Sequence, residues 1–156
     1  NYPNNSVYTA DRLILFALPL TDRDTVLEES RIVVDAIAAS STARSAIYAF
    51  DGVSSFFMVP GSEALYDSAT AGLKRYNLPN TFRLVADKRY FLAFRASSAT
   101  PTFSSLAVIG SVIRSRFMAS TSATLPKTFA LGQLSLSTTS PVPGVVYLSR
   151  LWREVL

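Results

Sequence analysis

Apolar side chains recur along this chain in short runs punctuated by Ser, Thr, Asn, Asp, Gly and Pro. Strict alternation of apolar and polar positions is the pattern of a half-buried strand, whereas a helix needs recurrence at three and four. The clearest case is Arg89 to Ala96. There Tyr90, Leu92 and Phe94 fall on one face, and Phe91, Ala93 and Arg95 on the other. Arg44 to Phe50 puts Ala46, Tyr48 and Phe50 on one face and runs into Asp51-Gly52, a hairpin-type turn. Thr81 to Val85 turns Phe82 and Leu84 inward and Arg83 outward. Arg12 to Leu18 is almost continuously apolar, which predicts a strand covered on both faces.

Other segments are less decisive. The β-branched Ile32, Val33 and Val34 favour a strand over Ser30 to Ile37, although Leu27, Arg31, Val34 and Ala38 also share a helical stripe. Ser62 to Gly72 holds an irregular strand, Leu106 to Phe117 is β-rich but interrupted by Gly110, and Thr128 to Leu136 reads as a strand. Turns are expected at Ala39 to Thr42, Asn77-Leu78-Pro79-Asn80, Asp87-Lys88 and Pro141 to Gly144, and Pro101 should break its ladder. Phe56-Phe57-Met58-Val59 reads as an apolar loop after the hairpin. From Val145 onward strand and helix compete, because Leu148, Leu151, Trp152 and Val155 keep helical spacing. Short strands at intervals of about 8 to 12 residues predict an all-β, antiparallel sandwich. Residues 1–11 form an extended lead-in, 12–150 the sandwich, and 151–156 a C-terminal extension for which a short helix is the alternative.

Composition narrows the chemistry. With 156 residues the chain suits one domain with a proper core. Its 49% hydrophobic content and mean hydropathy of +0.25 are high for so small a soluble chain, which suggests apolar surface buried against another subunit. The net charge is +4, but the basic residues are scattered, so nucleic acid is not expected as a partner. The apolar run Leu13 to Leu18 is far short of the roughly 20 residues that cross a membrane as a helix, and no signal peptide is recognisable. The first residue is Asn1 rather than Met, which reads as a trimmed piece of something longer.

The chain has no His and no Cys. A Ser-His-Asp triad, a Cys nucleophile, a disulfide and an imidazole or thiolate metal site are therefore excluded. Carboxylate chemistry remains, but Asp22 with Asp24 and Glu28 with Glu29 sit at turns or strand entries. On a strand the two glutamates point to opposite faces. No phosphate-cradling Gly-rich loop and no calcium loop is present. The reading is a non-enzymatic chain without cofactor.

Three blocks in order carry a resemblance: Ala10-Asp11-Arg12-Leu13 leading to Pro19, Ala43 to Tyr48 followed by Asp51-Gly52, and Lys88 to Phe94 followed by Ala99-Thr100-Pro101-Thr102. With Leu125-Pro126-Lys127-Thr128-Phe129 and Val142-Pro143 before Val145 to Leu148, the chain resembles the jelly-roll-like β-sandwich domains of tailed-bacteriophage virion appendages, meaning tail fibres, spikes and head fibres or decoration proteins. The resemblance covers about residues 10 to 150. It implies a structural or receptor-binding role on the virion surface, contact with other virion proteins and homo-oligomers, trimers above all.

Two roles follow from that expectation. A fibre tip would bind a host glycan or surface protein, for which Tyr66, Tyr76 and Trp152 are the candidate aromatic platforms and Asn77 and Asn80 the polar neighbours. A cement or decoration protein would dock onto capsid or tail, with Tyr2, Tyr8, Phe56, Phe57, Met58 and Val59 as candidate subunit contacts. A carbohydrate-binding module of a larger enzyme fits the same fold.

Overall fold

The computed structural model describes residues 4–18, 20, 22–106, 115–119, 124–137 and 142–149. Strands and their connections account for nearly all of them, and the described residues hold no helix beyond one 3-10 turn, Leu131–Gln133. The chain is an all-β antiparallel sandwich of two sheets.

The smaller sheet contains β1 (Asn4–Ser6), β3 (Thr25–Ala36), β7 (Gly72–Leu84), β9 (Thr102–Leu106), β13 (Val142–Pro143) and β14 (Val146–Ser149). The larger contains β2 (Arg12–Ala17), β4 (Thr42–Phe50), β5 (Ser55–Met58), β6 (Ala64–Asp67), β8 (Tyr90–Ala96), β10 (Ser115–Ala119), β11 (Thr128–Ala130) and β12 (Ser135–Ser137). The chain switches sheets repeatedly, so each sheet is assembled from segments far apart in sequence.

The larger sheet is strongly curled. Its strands run in the order β11-β5-β4-β8-β2-β10-β12, so β11 and β12 lie at opposite ends. In sequence those two strands are separated only by residues 131–134. Laid flat, seven strands would hold the ends about 29 Å apart, whereas the connecting residues reach at most about 18 Å. The sheet must therefore bend until its ends nearly meet. Inside the bend lies a core of Leu13, Leu15, Ala46, Tyr48, Phe56, Met58, Ala93, Leu125, Phe129 and Leu134. The convex face carries Ile14, Phe16, Phe94, Ile47 and Leu92 and packs against the smaller sheet. This explains why β2 and β8 are apolar on both faces: one face fills the curl and the other the sandwich.

Several expected elements are corrected. Asn77-Leu78-Pro79-Asn80 is not a turn between strands but a bulge within β7. Glu29 pairs with Asn77 and Leu27 with Phe82, so β7 advances five residues while β3 advances two. Pro79 is tolerated there because the bulged residues make no ladder bond, and the bulge drops Leu78 into the core. Phe56 to Met58 is not a loop but strand β5, paired with β4 on one side and β11 on the other. The segment Ser30 to Ile37 is a strand that begins earlier, at Thr25. Thr128 to Leu136 is two short strands around the 3-10 turn. From Val146 to Ser149 the tail is a strand; the helix alternative for 151–156, and most of Leu106 to Phe117 with Gly110, fall outside the described residues.

The lead-in joins the sheet: β1 pairs with β9. At Asp51-Gly52 the hairpin forms as expected. Gly52 takes a φ of +84°, and the Asp51 carboxylate accepts backbone N–H bonds from Val53, Ser54 and Ser55.

Candidate functional site

The two sheets are joined by a chain of hydroxyls. Ser30 on β3 and Tyr147 on β14 come from the smaller sheet; Ser45 on β4 and Tyr66 on β6 come from the larger. Tyr147 donates its proton to the Ser62 carbonyl at 2.9 Å. A phenol has one proton, so Ser45 must donate to Tyr147 at 2.9 Å. Tyr66 then donates to Ser45 at 2.8 Å, and Ser30 to Tyr66 in a short hydrogen bond. The direction of every proton is thus fixed by one backbone carbonyl. Burial raises the Tyr66 phenol to about 12, with its serine partners pulling the other way. Burial also pushes Tyr147 well above its ordinary value, helped by the neighbouring Tyr66. None of these groups titrates near neutral pH, and the arrangement acts as a polar weld in an apolar interior.

Beside this weld a cleft of about 290 Å³ opens between the sheets. Ile47, Tyr90 and Leu92 of the larger sheet form one wall, and Leu27, Leu84 and Val145 face them. Leu18, Thr25 and Tyr147 complete the lining. Among the described residues the lining holds no carboxylate, amine or guanidinium. Its polar groups are engaged: Thr25 donates to the Arg23 carbonyl at 3.3 Å, the Tyr90 hydroxyl accepts from the Val85 N–H at 3.0 Å, and Tyr147 is held in the weld. Such a surface can hold an apolar group but offers nothing to activate it.

The apolar surface continues outward from the cleft. Ala49 pairs with Tyr90 on one side and with Phe57 on the other, so the three share the convex face in one row. Phe57 is 46% exposed. Val59 is half-buried and packs against the same core. Lys88 lies over the Tyr90 ring, 5.7 Å from its centroid, and marks the edge of the row.

Of the candidate ligand residues, Tyr66 is buried in the weld, and Tyr76 sits half-buried opposite Ser30 in the β3–β7 ladder. Asn77 is exposed on the other face of β7, opposite Glu29. The side chain of Asn80 and all of Trp152 lie outside the described residues. The structure therefore brings Tyr66 and Tyr76 together between the sheets and leaves Asn77 apart from them.

Of the candidate contacts, Tyr8 is buried on Phe94 and Phe103, with ring centroids 4.9 and 6.1 Å away. Phe56 and Met58 point into the curl. Phe57 alone among those described exposes about half of a large ring, at 46%, and Tyr2 lies outside the described residues. Sequence reasoning missed Ser30, Ser45 and Tyr147. Ser30 and Ser45 are polar residues at inward positions of otherwise apolar strands, and that mismatch was the available signal.

No protein-family model matches the chain, and no curated protein or solved structure is significantly similar to it.

Proposed function

We propose that this chain is a non-enzymatic structural domain of a bacteriophage virion surface appendage, and that it assembles with further copies of itself through the apolar end of the sandwich. The observation that carries the assembly reading is the row Tyr90-Ala49-Phe57, which leads from an apolar cleft onto an exposed aromatic ring. Apolar surface of this kind is what subunit contacts bury. Support for the virion reading comes from the placement of the resembling blocks. Ala10 to Leu13, Ala43 to Tyr48 and Lys88 to Phe94 fall on β2, β4 and β8, which are adjacent at the centre of the curled sheet. Leu125 to Phe129 supplies part of the core inside the curl. The motifs thus belong to one spatial unit.

The test is mass spectrometry of purified particles from the source phage, followed by cryo-electron microscopy to place the domain. Density at the distal end of a fibre makes it a receptor-binding domain, and density between capsid subunits makes it a cement protein. Absence of the chain from purified particles overturns the proposal.

A further inference from the structure

The outer face of the smaller sheet carries an arrangement that the fold does not require. Among the described residues two pairs of arginines stand directly opposite one another. Like charges in that position repel and cost stability unless a counter-charge offsets them. Arg44 and Arg95 form the first pair, and each has a carboxylate of its own: Arg44 bonds Glu63 at 2.6 Å and Arg95 bonds Asp11. Arg31 and Arg75 form the second pair, across β3 and β7. Arg31 is paired with the buried Glu29, while Arg75 is exposed and has no ion pair among the described residues. Among the described residues the first pair has two ion-paired carboxylates and the second has one.

The surroundings say what kind of anion fits. A groove of about 220 Å³ runs beside Arg31, with Val33, Leu73, Val146 and Leu148 along it. Leu73, opposite Val33, is 49% exposed. Asn77, two residues from Arg75, shares its face and offers both a donor and acceptors. A guanidinium fork matches a carboxylate with two parallel hydrogen bonds. The aliphatic side chains match the C–H face of a sugar ring, and the amide matches a hydroxyl. The groove is smaller than pockets for drug-sized ligands, so it takes one ring at a time.

We infer that the Arg31/Arg75 face is a binding site for an acidic saccharide, with Arg75 as the principal anion contact, Leu73 and Val33 as the ring platform and Asn77 as a hydroxyl partner. An inorganic anion would leave the groove unused, as would a purely acidic peptide such as hexaglutamate, which has no apolar face to lay on it. The inference deepens the virion-surface reading, since a host-facing domain would meet such saccharides. It is nonetheless tested on the isolated chain, so its failure is distinguishable from failure of the particle experiment.

The experiment exposes the full chain to immobilised saccharides bearing uronic acid, sialic acid or sulfate, beside their neutral counterparts, with hexaglutamate and inorganic sulfate as competitors. Binding confined to acidic members is expected, with at least a tenfold loss in Arg75→Glu. That variant replaces the repulsive pair with an attractive one, so it should melt at a higher temperature while losing the ligand. Leu73→Ser should weaken saccharide binding and leave the fold intact. No acidic saccharide bound by the folded wild type, binding retained in Arg75→Glu, or equal competition by hexaglutamate or sulfate would each overturn the assignment.

Discussion

Phe56 and Phe129 stack at an interplanar angle of 16° with their ring centroids 5.0 Å apart. Phe56 belongs to β5 and Phe129 to β11, the strand that begins the short bridge between the two ends of the larger sheet. Phe129→Ala removes a nearly buried ring from the core inside the curl. It should cost about 3–5 kcal/mol, measured as a lower midpoint in urea unfolding. A change within a few tenths would mean that the ring does not hold the curl together.

The hydroxyl weld predicts an alkaline limit to stability. Tyr66 ionises near 12 when folded, against 10.0 ordinarily, because burial disfavours its anion. Between those values the unfolded chain has released its proton and the folded chain has not, so stability is full below pH 10 and falls as pH rises toward 12. Tyr66→Phe should soften that fall. It should also cost about 1–3 kcal/mol at neutral pH, because Ser30 loses its acceptor and Ser45 its donor. Thermal melts across alkaline pH, read beside tyrosinate absorbance, check both effects.

At the hairpin the sign runs the other way. Backbone N–H groups of Ser55, Val53 and Ser54 hold the Asp51 carboxyl below its ordinary 3.8. Its contribution is therefore complete above that value and is lost as pH falls through the lowered pKa. Asp51→Ala should melt earlier than wild type at pH 7, and the gap should close on acidification. Asp51→Asn, which keeps an acceptor oxygen, should melt between the two at pH 7.

Phe57 separates assembly from folding. Phe57→Glu changes a half-exposed side chain on the convex face, so the monomer should lose about 1–2 kcal/mol and stay folded. Light scattering should give an oligomeric mass for the wild type and a monomeric mass for the variant. An unchanged mass in a well-folded variant would move the subunit contact elsewhere.

Much of the sandwich is legible in the sequence because its central strands alternate cleanly. Tyr90 to Ala96 and Thr42 to Phe50 declare their faces, and Asp51-Gly52 declares its turn. The curl is not legible. It depends on β11 and β12, three residues each, whose partners lie far away in sequence. The Asn77 to Asn80 bulge carries ordinary turn residues, and only its pairing with β3 shows that the strand resumes. Phe56, Phe57 and Met58 looked alike as candidates for contact. Pleating separates them, sending the first and third into the core and the second outward.

The bent sheet also bears on crowding. An open sheet ends in rows of unpaired N–H and C=O groups that recruit neighbouring chains by backbone pairing. Here the terminal strands β11 and β12 are short and tied to each other by the chain itself. Neighbouring copies at high local density meet a small backbone template on that sheet, so side-chain shape decides which contacts form. In an array of such domains that sheet would give edge pairing little to extend into a fibril.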